Sequence, residues 1–382
     1  MTRIPDPCVP FVDLAPQWAQ VRARVLPELE TLFEASAFSL GPWVAELEDA
    51  LAGYLGVRHA IAVSSGSAAL HLAVVAAGIG PGDRVLVPAH SFIGTIWGLL
   101  YQGAVPVFCD VEDATGTIDF ADAARRLAAC EQQGLRVRAI VPVHLYGQAV
   151  DIAALLDFAM AHGLEVIEDA AQAIGARWQG RALGSFGAMG CFSFYPAKNL
   201  GAAGEGGLVV TDDMAMAARL RALRDHGQRE RYVHEEVGYN YRMDAIQALV
   251  LSAKLEHLDD WTEQRRALAA RYNALLADTP LRLPCTVHGS HVHHLYVVRA
   301  SARDALRSHL QRHGVQTGLH YPVPLYRQPC LAGIVPAADE GFARSEDWAC
   351  NGLSLPLFAG MSEGQQDRVI AAIHGFFAGK GR

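Results

Sequence analysis

The chain reads as an α/β protein whose mostly parallel sheet is covered by helices on both faces, followed by a smaller C-terminal α/β unit. Three observations predict this. From about residue 43 to residue 169, runs with helical spacing alternate with short β-rich runs, the order that lays parallel strands side by side with helical crossovers. From about Pro280 the pattern changes to a shorter strand and helix series. A chain of 382 residues, 51% hydrophobic and 19% charged, is long enough to bury two cores.

The elements follow in order. "WVAELEDALAGYLG" (43–56) has helix spacing and a closing glycine, and "HAIAV" (59–63) reads as a strand. "SAALHLAVVAAG" (67–78) is a helix opened by Ser65, Gly66 and Ser67. "RVLVP" (84–88) and "VPVFCD" (105–110) are strands around "SFIGTIWGLLYQG". Helix 119–130, strand 138–144, helix 151–163 and strand 164–169 continue the alternation. After "GCFSF" and "GGLVVT" the chain turns helical, from residue 214 and again over 242–277. The C-terminal unit reads as strand-like "HHLYVVRA" (293–300), helix 302–314, strand-like "VQTGLHY" (315–321) and a terminal helix, 362–379. We place the large domain, with the N-terminal segment, at 1–255, and the small domain with its connecting helices at 256–382.

Bulk properties remove several function classes. The formal net charge is −8 and no basic cluster stands out, which argues against nucleic acid or an anionic membrane as partner. Seven scattered cysteines without a C-x-x-C pair suggest neither a disulfide framework nor a zinc ribbon. The proline-broken, acidic N-terminus lacks the apolar core of a signal peptide, and no stretch is long and uncharged enough to span a bilayer. A cytoplasmic location is expected.

Three local patterns carry chemistry. In "VSSGSAAL" (63–70) a strand ends in a small-residue turn that opens a helix; its free amides and positive dipole end suit a phosphate, although an ordinary serine cap would look the same. "LEVIEDAAQAIGA" (164–176) delivers Glu168 and Asp169 to the sheet's carboxyl edge, where ligands of such sheets bind. Adjacent strand residues face opposite sides, so one of the two points into a given site. In "CFSFYPAKNLGAAGEGG" (191–207) Lys198 sits between an aromatic run and small residues. A desolvated lysine becomes a nucleophile toward carbonyls; a lysine whose stem packs while its ammonium reaches water is the plainer alternative. Together, a phosphate cup, a carboxylate and a lysine are the parts that pyridoxal phosphate (PLP) needs, with Phe92 placed as an aromatic lid or as core. His288, His291, His293 and His294 form a cluster that zinc could use if three converged. Its alternation turns His294 away from the others, so no metal site is expected and a loop entering the small domain is.

Seven ordered motifs go further: "SSGSAALHLA", "GPGDRVLVPAHSFIGT", "VPVHLYGQAVDI", "EDAAQAIGA", "SFYPAKNLGAAGEGG", "GYNYRMDAIQA" and "GLHYPVPLYRQP". In this order they resemble the DegT/DnrJ/EryC1/StrS family of PLP-dependent nucleotide-sugar aminotransferases over nearly the whole chain. The resemblance implies a fold type I transferase acting as a homodimer. It implies that Lys198 carries the cofactor as a Schiff base, Asp169 pairs with the pyridine nitrogen, Gln172 approaches the ring hydroxyl and Phe92 stacks on the ring. Gly66, Ser67 and Ser193 would hold the phosphate, and Asn240 would reach the phosphate in the partner subunit. L-Glutamate is the implied donor. The implied acceptor is a nucleotide-linked keto-sugar, closest to the dTDP-3-keto-6-deoxyhexoses, with Tyr195, His320 and Tyr321 lining the sugar site. A C-4 keto-sugar nucleotide or a keto-cyclitol is the alternative acceptor; a non-catalytic PLP-binding pathway protein would be expected to lack Lys198 or Asp169. Tyr326 departs from the histidine common at its position in the family.

Overall fold

A computed structural model describes residues 8–335 and 341–379; the outermost residues of both expected domains, 1–7 and 380–382, lie outside the described residues. The chain opens with helices α1 (Ala15–Ala35) and α2 (Pro42–Leu55). Strands β1 (His59–Val63), β2 (Arg84–Pro88), β3 (Val105–Cys109), β4 (Val137–Ile140) and β5 (Glu165–Asp169) then alternate with α3 (Gly66–Ala76), α4 (Gly94–Tyr101), α5 (Phe120–Gln132) and α6 (Ile152–His162). A small hairpin, β6 (Arg177–Trp178) and β7 (Arg181–Ala182), precedes β8 (Met189–Ser193), β9 (Gly207–Thr211) and α7 (Met214–Arg224).

The main sheet has seven strands in the order β1-β9-β8-β5-β4-β2-β3. Its members from β8 to β3 are parallel, while β9 runs antiparallel to both neighbours. One strand against the grain leaves β1 pointing the same way as β8, so the carboxyl ends of β1, β2, β5 and β8 share one edge. Gly207 pairs with Val63 on one side and with Ser193 on the other.

Alternation along the strands explains the two layers of helices. Ala60, Ala62, Val166 and Phe192 face one core with α2, α5, α6 and Leu251, whereas Ile61, Val63, Ile167 and Cys191 face the other with α3, α4 and α7. Each fully buried leucine or valine in these layers contributes about 1.5–3 kcal/mol. The crossover helices begin where a side chain satisfies their free amides: Asp119, Asp151 and Asp213 accept from α5, α6 and α7 respectively.

Beyond a second short hairpin, β10 (Gln228–Glu230) and β11 (Val233–His234), helices α8 (Ala245–Leu255) and α9 (Leu258–Leu275) lead to the C-terminal elements. These are β12 (Tyr296–Arg299), α10 (Arg303–Arg312), α11 (Ala343–Asn351), β13 (Gly352–Leu355) and α12 (Glu363–Ala378). Their core joins Tyr272, Tyr296, Leu306, Leu353 and Ile373. Val9 packs in that same core and bridges Val315, so the N-terminal stretch, expected with the large domain, lies against the small one.

The expected strand at 315–321 does not form. Val315 and Gly318 each make a single bridge, the latter with Ser354 of β13. Past that bridge come Pro322 and Pro324, which lack the N–H a ladder requires, and His320 and Tyr321 turn to the cleft instead. All seven cysteines are unbridged. Among the described residues, no helix is long and apolar enough to cross a membrane.

Candidate active site

A cleft of about 660 Å³ lies at the carboxyl edge of the sheet. Four strand ends build one wall. The end of β1 supplies Ser65, Gly66 and Ser67, the end of β2 supplies Ser91 and Phe92, β5 supplies Asp169, and β8 with its following turn supplies Ser193, Tyr195 and Lys198.

The α3 N-terminus is both a capped helix and an open cup. Ser65 Oγ accepts from Ala68 N at 3.1 Å, while Gly66 and Ser67 face the cleft. A Cβ on Gly66 would stand 2.6 Å from Ser193 Cβ, so glycine lets the helix start touch the end of β8. A Cβ on Gly94 would meet the Phe92 ring at 2.9 Å and Ser67 Oγ at 3.1 Å. Backbone amides, the Ser67 and Ser193 hydroxyls and the helix dipole thus converge where a phosphate would sit.

Asp169 and Glu168 separate as strand alternation requires. Asp169 is buried against the cleft: Thr95 Oγ1 donates to Oδ2 at 2.8 Å and Ala171 N donates to Oδ1 at 3.1 Å. Burial pushes its carboxyl pKa up, opposed by these donors and by Lys198. Glu168 points away and accepts from the amides of Gly184, Phe186 and Gly187 and from His144. It braces a loop on the far side of the sheet.

Lys198 borders the cleft, and its Nζ has no hydrogen-bond partner among the described residues. Burial pulls its pKa down to about 8, with the negative charge of Asp169 opposing that shift. An amine poised so near neutrality suits attack on a carbonyl and proton transfer.

The opposite wall comes from distant segments. His320 stacks on Phe11 with centroids 5.6 Å apart, and its Nδ1 meets Ser354 Oγ at 2.8 Å. Burial, helped by Lys198, brings the His320 pKa down to about 4, so the ring is neutral. Gln172 is held at both ends of its amide: Oε1 accepts from Tyr146 N at 2.7 Å and Nε2 donates to Tyr321 Oη at 3.0 Å. Tyr321 lies 5.5 Å from the Phe92 ring. Phe92 is 49% exposed and Tyr195 51%, and both mark the open mouth.

Every sequence-predicted site residue except Asn240 lines this cleft. Asn240 is exposed elsewhere, bridged to Asp225 and flanked by Tyr239 and Tyr241, whose rings stack at 5.2 Å. Within one chain it touches no part of the site. Tyr326 also lies off the cleft, with its hydroxyl donating to Glu346. Thr95, Phe11, His294 and Arg265 were missed. Thr95 stood in the motif with Phe92, and His294 in the histidine cluster. That cluster splits: the rings of His291 and His293 stack at 3.9 Å while His294 reaches the cleft. Among the described residues no group of three or more His, Cys, Asp or Glu could hold a metal ion.

The residues present fit PLP. An unpartnered amine, a buried carboxylate facing it and a glycine-floored cup of donors are the groups its aldehyde, ring nitrogen and phosphate require. Residues 20–374 match the DegT/DnrJ/EryC1/StrS aminotransferase family. The chain is 42% identical to the Geobacillus stearothermophilus pleiotropic regulatory protein over 374 residues, 97% of this chain and 98% of that one. It is also 42% identical to a dTDP-3-amino-3,4,6-trideoxy-alpha-D-glucose transaminase of Streptomyces venezuelae, covering 97% of each. The crystal structure of DesV from S. venezuelae superposes with a TM-score of 0.92 at 42% identity, over 97% of this chain and 98% of that one.

Proposed function

The chain belongs to the DegT/DnrJ/EryC1/StrS aminotransferase family, a PLP-dependent family of nucleotide-sugar aminotransferases, and from that premise we propose that it transfers the amino group of L-glutamate to C-3 of a keto-sugar nucleotide. The observation that carries the reading is the unpartnered Lys198 amine beside Asp169 in one cleft. Relatives named for 3-amino products support the carbon. The first acceptor to try is a dTDP-3-keto-6-deoxyhexose; a C-4 keto-sugar nucleotide or a keto-cyclitol is the alternative.

PLP, when bound, supplies an electron sink that makes the donor's α-proton removable. The rest of the work belongs to side chains. Gly66, Ser67 and Ser193 would hold the phosphate with backbone amides and hydroxyls, and Phe92 would offer an apolar surface to the ring. Asp169, whose ionised form is disfavoured by burial and favoured by the Thr95 and Ala171 N donors, would pair with the ring nitrogen. Lys198 Nζ would hold the cofactor's aldehyde and would carry the donor's α-proton as base and acid. Gln172 orients the ring hydroxyl from an amide already fixed by Tyr146 and Tyr321. Tyr195, His320 and Tyr321 receive the sugar, and neutral His320 can accept a hydroxyl proton or donate its own.

We place Asn240 at the phosphate of the partner subunit in a homodimer; its exposure beside a rigid tyrosine pair supports this. Unbridged cysteines support a reducing compartment, the cytoplasm. The name of the Geobacillus relative would favour a regulatory protein without catalysis, but such a role gives no use for a poised lysine.

Loading the purified protein with PLP and adding L-glutamate tests the reading: the visible band of the bound cofactor should bleach while 2-oxoglutarate forms. A band indifferent to every amino donor would sink the transaminase assignment. A panel of 3-keto and 4-keto sugar nucleotides then reads out the carbon.

A further inference from the structure

Three arginines are buried among the described residues: Arg224, Arg265 and Arg299. A buried cation is ordinarily paired with an anion, because leaving it alone costs several kcal/mol. Arg224 pairs with Glu48, and Arg299 with Asp113 and Asp347. Arg265, 2% exposed on α9, has no carboxylate partner among the described residues. Its neighbour Arg266 points elsewhere and pairs with Glu263.

Arg265 uses one corner of its guanidinium for structure. Nη1 donates to the carbonyls of His293 at 3.2 Å, His294 at 3.4 Å and Leu357 at 3.0 Å. Nε–H is buried without a partner, and Nη2 makes no hydrogen bond among the described residues. Arg265 lines the cleft with His294, Leu355 and Leu357. Burial, with the positive charges of Lys198 and Arg265 adding to it, pulls the His294 pKa well down and keeps the ring neutral, so it offsets neither cation's charge. Burial lowers the Arg265 pKa to about 10, which leaves it charged at neutral pH. An unused Nε–Nη2 edge is the fork that a carboxylate fits side-on.

We propose that Arg265 is the carboxylate receptor for the amino donor, forming an anion subsite among the buried residues that line the cleft. The inference rests on the aminotransferase reading with L-glutamate as donor. A nucleoside diphosphate is the other anion the reaction brings, but it is long. It needs the open mouth at the exposed Phe92 and Tyr195, whereas Arg265, 2% exposed, lines the cleft together with the buried Leu355 and Leu357, a setting that favours a compact acid. Neutral His294 and His320 leave the guanidinium's charge uncompensated until the donor enters, and the departing 2-oxoglutarate would use the same fork.

The test uses the PLP-loaded enzyme and glutarate, a five-carbon dicarboxylate without an amine, with butyrate as monocarboxylate control. Calorimetric titration should give glutarate an affinity that Arg265→Gln weakens roughly 10- to 100-fold. The KM for L-glutamate should rise in step, while kcat/KM of the keto-sugar half-reaction changes by less than about threefold. Arg265→Lys, which keeps charge but not the fork, should fall between. Glutarate binding within twofold of the unsubstituted enzyme overturns the proposal, and so does an equal loss in both half-reactions, which is what a merely structural arginine would give. Should neither variant fold, a crystal structure of the unsubstituted holoenzyme with glutarate decides: a carboxylate on Nη2 of Arg265 supports the subsite, and one bound elsewhere overturns it. An enzyme that binds glutarate through Arg265 yet is not bleached by L-glutamate would overturn the donor reading instead.

Discussion

The two walls of the cleft are built by different rules. On the strand-end wall, Gly66, Ser67, Asp169, Ser193 and Lys198 each lie within a few residues of the carboxyl end of a strand, and the sheet's register sets their spacing. On the facing wall, Phe11, Arg265, His294, His320 and Leu357 come from five separate segments, held by contacts such as the Phe11–His320 stack and the Arg265 carbonyl bonds. A wall set by backbone pairing is suited to chemistry that every turnover repeats. A wall assembled from loops can change with the substrate while the sheet stays as it is.

Substitutions at the cofactor groups of the strand-end wall and at its exposed mouth should separate, and the Arg265 variants probe the facing wall. Lys198→Ala breaks the strand-end wall most: turnover should fall by at least about 10³-fold in both half-reactions, measured by product formation and by absence of the visible cofactor band. Asp169→Asn removes the ring-nitrogen partner, and both half-reactions should slow by about 10²- to 10³-fold in single-turnover experiments. The pH dependence of PLP uptake by apoprotein should be smaller. Lys198 attacks only when deprotonated, and burial places its pKa at about 8. Stopped-flow uptake should thus rise roughly tenfold per pH unit below 8 and level off above it. Because Asp169 raises that pKa, Asp169→Asn should move the midpoint down; an upward shift would contradict the electrostatics drawn here. The smallest effect is expected at the mouth. Tyr195→Phe should raise KM for the keto-sugar by roughly 2- to 10-fold and leave the L-glutamate half-reaction nearly unaltered; equal change in both would erase the distinction between the cofactor groups and the exposed mouth.

The same division decides what could be read before the fold was known. The strand ends carry local signatures: small residues before α3, acidic residues closing β5, and a lysine after β8. Sequence spacing therefore brings Gly66, Asp169 and Lys198 to one edge. Nothing local marks Arg265, which reads as one more charge on a helix, or Phe11, which reads as part of a proline-rich leader. Their roles arise from packing between separate segments, Arg265 against His293, His294 and Leu357 and Phe11 against His320. His294 is visible as part of a histidine cluster, which reads as a loop entering the small domain rather than as a metal site, and its place in the cleft comes only from packing. The expected strand at 315–321 has a similar origin, since β-like residues alternate there while pairing is limited to single bridges, Val315 with Val9 and Gly318 with Ser354, and prolines follow.

Strand β9 has a consequence for how such a protein can diversify. Ser193 and Gly207 are ladder partners, so the lysine-bearing excursion over residues 194–206 leaves the sheet and rejoins it at a single rung. It behaves as a cassette with fixed ends. Within it, Phe194, Leu200 and Ala202 are fixed by the core and Asn199 by Val292, whereas the exposed Tyr195 can be changed without shifting the register of a neighbouring strand. The excursion thus confines its tolerance for change to the side that faces the cleft's mouth.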